Sequence, residues 1–224
     1  MENRRTFIKK TAIGTAGVSV GLGAISAKSY GRILGANDRI NMGVIGLRGR
    51  GKGLMGAFSG MYDDNVYVKT VCDVDTEYHD SSRELVAENQ KGNKPDAVQD
   101  LRKVFEDPEI DAVAMATPNH WHALGSIWAC QAGKHVYVEK PSSHNIWEGR
   151  KMVEAARKYK RVVQVGFQNR SISNVMQAMQ FLNDGGIGEV YMARGTCFKP
   201  RDSFGISPDS EAPATLDYDL WLGP

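Results

Sequence analysis

Short apolar runs alternate with longer segments of helical periodicity along most of the chain. Because buried parallel strands read as unbroken apolar runs, this pattern predicts a parallel sheet with helices on both faces. Strands are predicted at Arg39–Ile45, Val66–Val71, Ile110–Ala116, His135–Val138 and Arg161–Gly166. Helices are predicted at Lys52–Ser59, Thr76–Glu88, Leu101–Glu106 and Trp121–Ala132, and from an Asn145 cap through Tyr159. The predicted fold class is α/β, a doubly wound parallel sheet over residues 39–168.

The remaining residues follow a different pattern. A methionine-rich helix is predicted at Asn174–Leu182, and Gly185 ends it. Glu189–Phe198 is predicted as a long strand, and residues 199–224 hold four of the eight prolines with little apolar periodicity. We interpret residues 169–224 as the incomplete start of a second α/β domain.

Composition and charge change the picture mainly at the N-terminus. With 42% hydrophobic and 24% charged residues, the chain is neither disordered nor collagen-like. Its net charge of +2 comes from residues 1–27, where Arg4 and Arg5 precede a weakly apolar stretch, Thr11–Ala27. This layout resembles a twin-arginine export signal. We predict a signal peptide at 1–27, a linker at 28–38 and export to the periplasm or beyond, with an uncleaved leader as the alternative.

The rest of the chain is close to neutral, which bears on possible partners. Aromatic residues are not interleaved with basic runs, so nucleic-acid binding is not expected. The leader's apolar stretch is shorter than the roughly 20 residues that span a bilayer, so no membrane span is expected after cleavage. Cys72, Cys130 and Cys197 form no CxxC pair, which argues against a disulfide framework or a zinc site. We expect all three to be buried.

A glycine cluster, GVIGLRGRG, follows the first strand and opens a helix. In this context glycines allow a tight turn and let a pyrophosphate approach backbone N–H groups at the positive end of the helix. Gly46 and Gly51 match the first and third glycines of a dinucleotide fingerprint, whereas Arg48 replaces the middle one, next to Gly49. Arg48 could crowd the phosphates or add positive charge to them. A glycine-rich turn with a structural role is the alternative.

An acidic residue supports the nucleotide interpretation. Asp73 ends the second strand 27 residues after Gly46, where a carboxylate accepts hydrogen bonds from ribose hydroxyls and repels a 2′-phosphate. The sequence therefore favours NAD over NADP, although Arg48 and Arg50 could offset that repulsion.

Two further motifs lie at the carboxyl ends of predicted strands, where doubly wound sheets bind ligands. In ATPNHWHA, His120 and His122 invite a metal interpretation, but side chains two apart at a helix start diverge and no other ligand completes a set, so no metal is expected. In VEKP, Lys140 could exchange a proton with a substrate oxygen. A surface salt bridge with Glu139 is the alternative.

Together the segments GVIGLRGRG, CDVD, ATPNHWHA, AGKHVYVEKP and GGIGEV resemble the Gfo/Idh/MocA family over residues 39 to about 224. The resemblance implies a Rossmann domain that binds NAD(H), then a domain with an open mixed sheet that shapes a sugar site and often mediates oligomers. It also implies that Thr117, Pro118, Asn119 and His122 line the nicotinamide ribose region. Glu139 and a catalytically assisting Lys140 would lie beside the nicotinamide, and Gln168 would approach the nicotinamide or the substrate.

The candidate catalytic residue is thus Lys140. The candidate cofactor-binding residues are Gly46, Arg48, Gly49, Arg50, Gly51, Asp73, Thr117, Pro118, Asn119, His122, Glu139, Lys140 and Gln168.

The resemblance implies an NAD-dependent oxidoreductase that acts on a sugar or polyol by hydride transfer and forms a homo-oligomer when complete. Relatives continue into an Asp/His segment that supplies the principal acid/base, and this sequence lacks that segment. An NAD-dependent glycosidase, similar to α-N-acetylgalactosaminidases that oxidise a ring carbon transiently, is one alternative. A truncated, non-catalytic nucleotide-binding fragment is another.

Overall fold

The computed structural model describes residues 39–197, 200–203 and 205–223. Within them, six strands form one sheet in the order β3-β2-β1-β4-β5-β6, and every pairing is parallel. The strands are β1 Ile40–Ile45, β2 Val66–Cys72, β3 Asp96–Val98, β4 Ala112–Met115, β5 His135–Glu139 and β6 Val163–Gly166. The doubly wound α/β fold is confirmed.

The helices between successive strands cover both faces of the sheet, and further helices follow the last strand. They are α1 Arg50–Ser59, α2 His79–Asn89, α3 Leu101–Glu106, α4 Asn119–Gln131, α5 Ile146–Tyr159, α6 Ser173–Asn183 and α7 Tyr218–Leu222. Helices α1 and α2 pack with β1 and β2 in one hydrophobic cluster. Helices α3, α4 and α5 pack in a second cluster. This arrangement leaves the carboxyl ends of the strands open for loops.

Strand β4 shows why the strands read as unbroken apolar runs. Val113 and Met115 contribute to one cluster and Ala114 to the other, and none of the three is exposed. Successive side chains of a strand point to opposite faces, so both sets must be apolar when both faces are covered. Burying each large aliphatic side chain stabilises the fold by about 1.5–3 kcal/mol.

Three local predictions differ from the structure. Strand β3 was not predicted because it is short and begins with Asp96, so it leaves no apolar run. The predicted cap at Thr76 is wrong: Asp75 accepts a hydrogen bond from the Glu77 backbone N–H, and Thr76–Tyr78 form a 3₁₀ turn before α2. Cys197 is exposed, whereas Cys72 and Cys130 are buried as expected.

The predicted strand Glu189–Phe198 is also wrong. Residues 189–197 adopt no strand, and Phe198 lies outside the described residues. Tyr191 is 91% exposed and Met192 64% exposed, so these side chains are mostly unburied in the described part of the chain. The β-branched and aromatic composition favours a strand, but a strand forms only where another pairs with it.

The predicted leader, 1–27, and linker, 28–38, lie outside the described residues. Within the part of the chain that the structure does describe, no helix has both the length and the apolar character needed to cross a membrane.

Candidate functional site

A crevice lies at the carboxyl edge of the sheet between β1 and β4. These two strands are neighbours in space, and Ile45 pairs with Met115 at their ends. The chain moves outward from this point in opposite directions, through β2 and β3 on one side and β5 and β6 on the other. Such a switch point is where open α/β sheets bind ligands.

The glycine turn between β1 and α1 needs glycine at two positions. Gly46 has a φ of +85°, and a Cβ atom there would lie 2.6 Å from the Ala116 carbonyl oxygen. A Cβ atom at Gly51 would lie 1.7 Å from the Gly46 carbonyl oxygen. These glycines therefore allow α1 to start directly against the ends of β1 and β4.

The start of α1 has open space in front of it. Gly49 precedes the helix without a side-chain cap, and a Cβ atom there would meet nothing within 4 Å. No acidic residue occupies the first turn. The first N–H groups of a helix carry partial positive charge and lack intrahelical partners, so this end of α1 suits a pyrophosphate.

Arg48, which replaces the middle glycine, extends toward the turn after β2. Its guanidinium lies over the Tyr78 ring, 4.8 Å from the ring centroid. Arg48 also lines the cavity described below. The side chain thus places positive charge at the wall of this crevice, and its stacking on Tyr78 holds the guanidinium on the β2 side.

Asp73 joins the glycine turn to the end of β2. One carboxylate oxygen accepts a hydrogen bond from the Leu47 N–H at 2.7 Å, and the other accepts one from the Asp75 N–H at 3.0 Å. A carboxylate can accept about four hydrogen bonds in total. Asp73 is half-buried and keeps acceptor capacity for the hydroxyls of a ribose.

These residues line a cavity of about 300 Å³ at the edge of the sheet. Its wall brings together the predicted site residues Gly46, Arg48, Asp73, Thr117 and Pro118. The Thr117 hydroxyl oxygen is buried and has no hydrogen-bond partner among the described residues. Buried polar groups without a partner are rare, so this hydroxyl suits contact with a polar ligand.

His122 connects the two motifs on the other side of the crevice. Its Nδ1 lies 2.5 Å from the Pro141 carbonyl oxygen and its Nε2 lies 2.9 Å from the Thr117 carbonyl oxygen. The ring is only 1% exposed. A neutral imidazole donates from one nitrogen, so it can satisfy one of these carbonyls at a time. His122 therefore has a positioning role: it contacts one carbonyl in the turn after β4 and one in the turn after β5.

Glu139 pairs with Arg50 and not with the adjacent lysine. The Arg50 Nε donates to Glu139 Oε1 at 2.7 Å, and this hydrogen bond raises the pKa of Arg50. The Glu139 side chain is 5% exposed and that of Arg50 is 44% exposed. The alternative salt bridge between Lys140 and Glu139 is not formed. Lys140 is exposed, and no ion pair of its ammonium group is found in the part of the chain that the structure describes.

The remaining predicted residues are less closely connected. Asn119 is the exposed first residue of α4, and Gln168 is exposed in a 3₁₀ turn two residues beyond Gly166. Gly166 pairs with Glu139 in the sheet, which places Gln168 near the same edge.

Across residues 39–197, 200–203 and 205–223, no three His, Cys, Asp or Glu side chains are grouped as they would be to hold a metal ion.

Sequence reasoning missed a group of residues that also line the cavity. These are Gln99, Leu101, Trp121, Leu216, Leu220 and Trp221. For Leu220 and Trp221 a signal was available, because Asp217 followed by Tyr-Asp-Leu-Trp is a helix N-cap pattern. In the structure Asp217 accepts a hydrogen bond from the Leu220 N–H.

Known proteins are similar to this chain in sequence, and solved structures are similar to it in fold. A sequence model of the Gfo/Idh/MocA family, an oxidoreductase family with an NAD-binding Rossmann fold, matches residues 40–167. Levoglucosan dehydrogenase from Pseudarthrobacter phenanthrenivorans is 37% identical over 100 residues, which cover 45% of this chain and 26% of that protein. A glycosyl hydrolase family 109 protein from Saccharopolyspora erythraea is 27% identical over 209 residues, which cover 86% of this chain and 45% of that protein.

One solved structure is similar over about two thirds of the chain. The NAD-binding oxidoreductase from Klebsiella pneumoniae has a TM-score of 0.54 and 30% identity, and the match covers 67% of this chain and 40% of that one. The chain therefore spans less than half the length of each of these relatives. The matches confirm the predicted fold and NAD as the cofactor.

Proposed function

Since the chain belongs to the Gfo/Idh/MocA family of oxidoreductases, we propose that the protein is an NAD-dependent oxidoreductase acting on a sugar or polyol by hydride transfer. One observation carries this proposal. At the same sheet edge, a cavity lined by Gly46 and the Asp73 carboxylate lies on the β2 side, and Lys140, whose ammonium forms no ion pair among the described residues, follows β5 on the other side.

The order of these features along the sheet edge supports a dinucleotide bound across it. The open N-terminus of α1 would hold the pyrophosphate, Asp73 would bind the adenosine ribose, and the Thr117 hydroxyl would bind a polar group near the switch point. When bound, the nicotinamide accepts a hydride from a carbinol carbon or returns one. The residues of the chain must then orient the substrate and transfer the proton of its hydroxyl group.

Lys140 is suited to transfer this proton. Glu139, its neighbour, is committed to Arg50, so the Lys140 ammonium is not neutralised by that carboxylate. The residue lies directly after β5, between the buried Glu139 and the turn that His122 holds through the Pro141 carbonyl. In this position the Nζ atom can donate a proton to a carbonyl oxygen of the substrate or accept one from a hydroxyl.

The test is an assay of the purified protein with NAD and a panel of sugars and polyols. We expect the absorbance of NADH to rise with one class of substrate, and to fall when NADH and the corresponding carbonyl compound are supplied. Absence of NAD binding by calorimetry would contradict the proposal at its first step, and binding without any redox change would contradict its second.

An NAD-dependent glycosidase is the second candidate. The relative from glycosyl hydrolase family 109 matches over 86% of the chain, further than the dehydrogenase does. A glycosidase of this kind oxidises a ring carbon, eliminates the leaving group, adds water and reduces the carbon again. Released sugar without net formation of NADH would therefore favour this candidate.

We also propose that the protein is exported by the twin-arginine route and forms a homo-oligomer. Arg4, Arg5 and the weakly apolar stretch after them support the first proposal. Exposed apolar side chains on α6, which follows the last strand, support the proposal of a homo-oligomer: Met176 and Phe181 are each 57% exposed. Light scattering of the purified protein tests the oligomeric state, and a monomer at all concentrations would contradict it.

A further inference from the structure

Residues 215–223, here called the return segment, lie along the same edge of the sheet. The Thr76 N–H donates to the Thr215 carbonyl at 3.0 Å, and the Asp217 N–H donates to the Val74 carbonyl at 2.9 Å. Asp75 and Leu216 form an antiparallel bridge between these contacts. The return segment is thus joined to the turn that follows β2.

The other end of the return segment is attached to α4. The Trp121 indole N–H donates to the Leu220 carbonyl at 3.0 Å, and the His120 Nε2 lies 3.1 Å from the Trp221 carbonyl oxygen. A Cβ atom at Gly223 would lie 2.6 Å from the Trp121 ring, so the backbone passes directly over that ring. Contacts at both ends hold the segment against the groove.

The cavity of about 300 Å³ lies between these two sides. Asp73, Gln99 and Thr117 line it from the sheet edge, and Leu216, Leu220 and Trp221 line it from the return segment. Gln99 also donates to the Val74 carbonyl at 2.8 Å, which keeps this part of the wall in place.

The position of the cavity identifies the half of the cofactor that it fits. It extends from the switch point over β2 and β3, whereas Lys140 follows β5 on the opposite side. If NAD binds as proposed above, the half on the β2 side is the adenosine, because Asp73 there suits its ribose. A purine ring offers two apolar faces, which the leucine and tryptophan side chains suit.

We infer that the return segment forms the outer wall of the adenosine site, with Leu216, Leu220 and Trp221 packing against the nucleoside. This inference rests on the proposed binding of NAD and adds a binding role for a segment distant in sequence. The segment contains Asp217 and Asp219 and no lysine or arginine, so it gives no support to an additional phosphate on the ribose.

The experiment measures binding of NAD and of ADP-ribose by calorimetry to the whole chain and to two variants. Trp221→Ala removes a wall side chain that is 41% exposed, and His120→Ala loosens the attachment to α4. For Trp221→Ala we expect both dissociation constants to rise about tenfold, because an aromatic contact of this size is worth about 1.4 kcal/mol. His120→Ala should raise both about threefold through faster dissociation.

Matched controls and a folding measurement complete the design. Trp147→Ala and His144→Ala replace exposed residues near the start of α5 and should leave both dissociation constants unchanged. Thermal unfolding of each variant reports whether it folds, and His120→Ala provides the test if Trp221→Ala does not fold.

The outcomes separate this inference from the proposed function. NAD binding that neither wall variant weakens would overturn the inference and leave the proposed function intact. Weaker NAD binding with unchanged ADP-ribose binding would also overturn it, because the segment would then contact the nicotinamide half. A wild-type chain that binds neither ligand would overturn both.

Discussion

Arg50 and Glu139, which are 89 residues apart in sequence, form a 2.7 Å ion pair that joins the first turn of α1 to the last residue of β5. The pair spans the crevice, because α1 begins at the glycine turn and β5 ends beside Lys140. Glu139 is buried, so Arg50 supplies the positive charge that compensates for its removal from water. The ion pair therefore links the N-terminus of α1, the proposed pyrophosphate site, to the end of β5, which the proposed catalytic residue Lys140 follows.

Replacing Arg50 should disturb both the fold and the groove. In Arg50→Gln, Glu139 keeps its buried charge without a cationic partner, and the free energy of unfolding should fall by about 1–2 kcal/mol. This is less than for a fully buried pair, because Arg50 is half-exposed. NAD affinity, measured by calorimetry, should fall about tenfold as the turn loosens. Arg150→Gln on the exposed face of α5 is the control, and equal effects of both substitutions would contradict the prediction.

Substituting Asp73 should affect more than the ribose. In Asp73→Asn, the amide offers one acceptor oxygen, so either the Leu47 N–H or the Asp75 N–H loses its partner. We expect a loss of about 1–2 kcal/mol in the free energy of unfolding. NAD affinity should fall at least about tenfold at temperatures where the variant is fully folded. Asp96→Asn at the exposed start of β3 is the control, and unchanged NAD affinity in Asp73→Asn would show that the carboxylate does not bind the ribose.

Lys140 should affect the rate of the reaction and leave cofactor binding unchanged. With a substrate that the protein turns over, Lys140→Met should lower kcat by about 10²- to 10⁴-fold, the range for loss of a general acid or base. The dissociation constant for NAD should stay within about twofold, because the side chain is exposed and pairs with no cofactor-binding residue in the described part of the chain. Lys158→Met, an exposed position on α5, should change neither quantity. If NAD affinity fell as far as kcat, Lys140 would instead be the cofactor-binding residue that the family resemblance also implies.

Local sequence signals were sufficient for most strands of the sheet and for the helices that connect them. Helix α3 was predicted at Leu101–Glu106, and the structure has the same bounds because Asp100 caps it and Pro108 follows shortly after. The glycine turn was also readable, since the spacing of Gly46 and Gly51 reflects close contacts within a single loop. In both cases the interactions join residues that are close in sequence.

Contacts between residues that are distant in sequence could not be predicted from local sequence signals. Nothing near Arg50 indicates that it pairs with Glu139, and nothing near Leu216 indicates that it lines the cavity opposite Asp73. Such contacts depend on where the sheet brings distant loops, which no local periodicity encodes. The wrong strand at Glu189–Phe198 has the same origin, because strand propensity acts only where a partner strand lies alongside.

Lys134 should stabilise the amino edge of the sheet in a pH-dependent way. Its ammonium is buried and donates to the carbonyls of Asp107 and Ile110 at 2.5 Å and 2.7 Å. Lys134→Met leaves both carbonyls without this donor, and the free energy of unfolding should fall by about 1–3 kcal/mol. Arg102→Met on the exposed face of α3 is the control.

The pH dependence of this effect follows from the direction of the shift. Burial lowers the pKa of Lys134 in the folded protein. Between that lowered pKa and the ordinary lysine pKa, the unfolded chain binds more protons than the folded one, so stability rises with pH. The difference between wild type and Lys134→Met should therefore widen with pH in that window, as measured by denaturant unfolding. A constant difference would contradict the prediction.

Export should depend on the identity of the paired arginines and not on their charge. Replacing both Arg4→Lys and Arg5→Lys keeps the net charge of the leader, but a twin-arginine route requires the arginine pair itself. In a bacterial host with this route, we expect the periplasmic fraction of the full chain to fall sharply, measured by fractionation and immunoblotting. The control carries Lys9→Arg and Lys10→Arg, which also keep the charge and should not alter export. Equal periplasmic fractions for wild type and the Arg4/Arg5 double variant would show that the protein leaves the cytoplasm by another route or stays there.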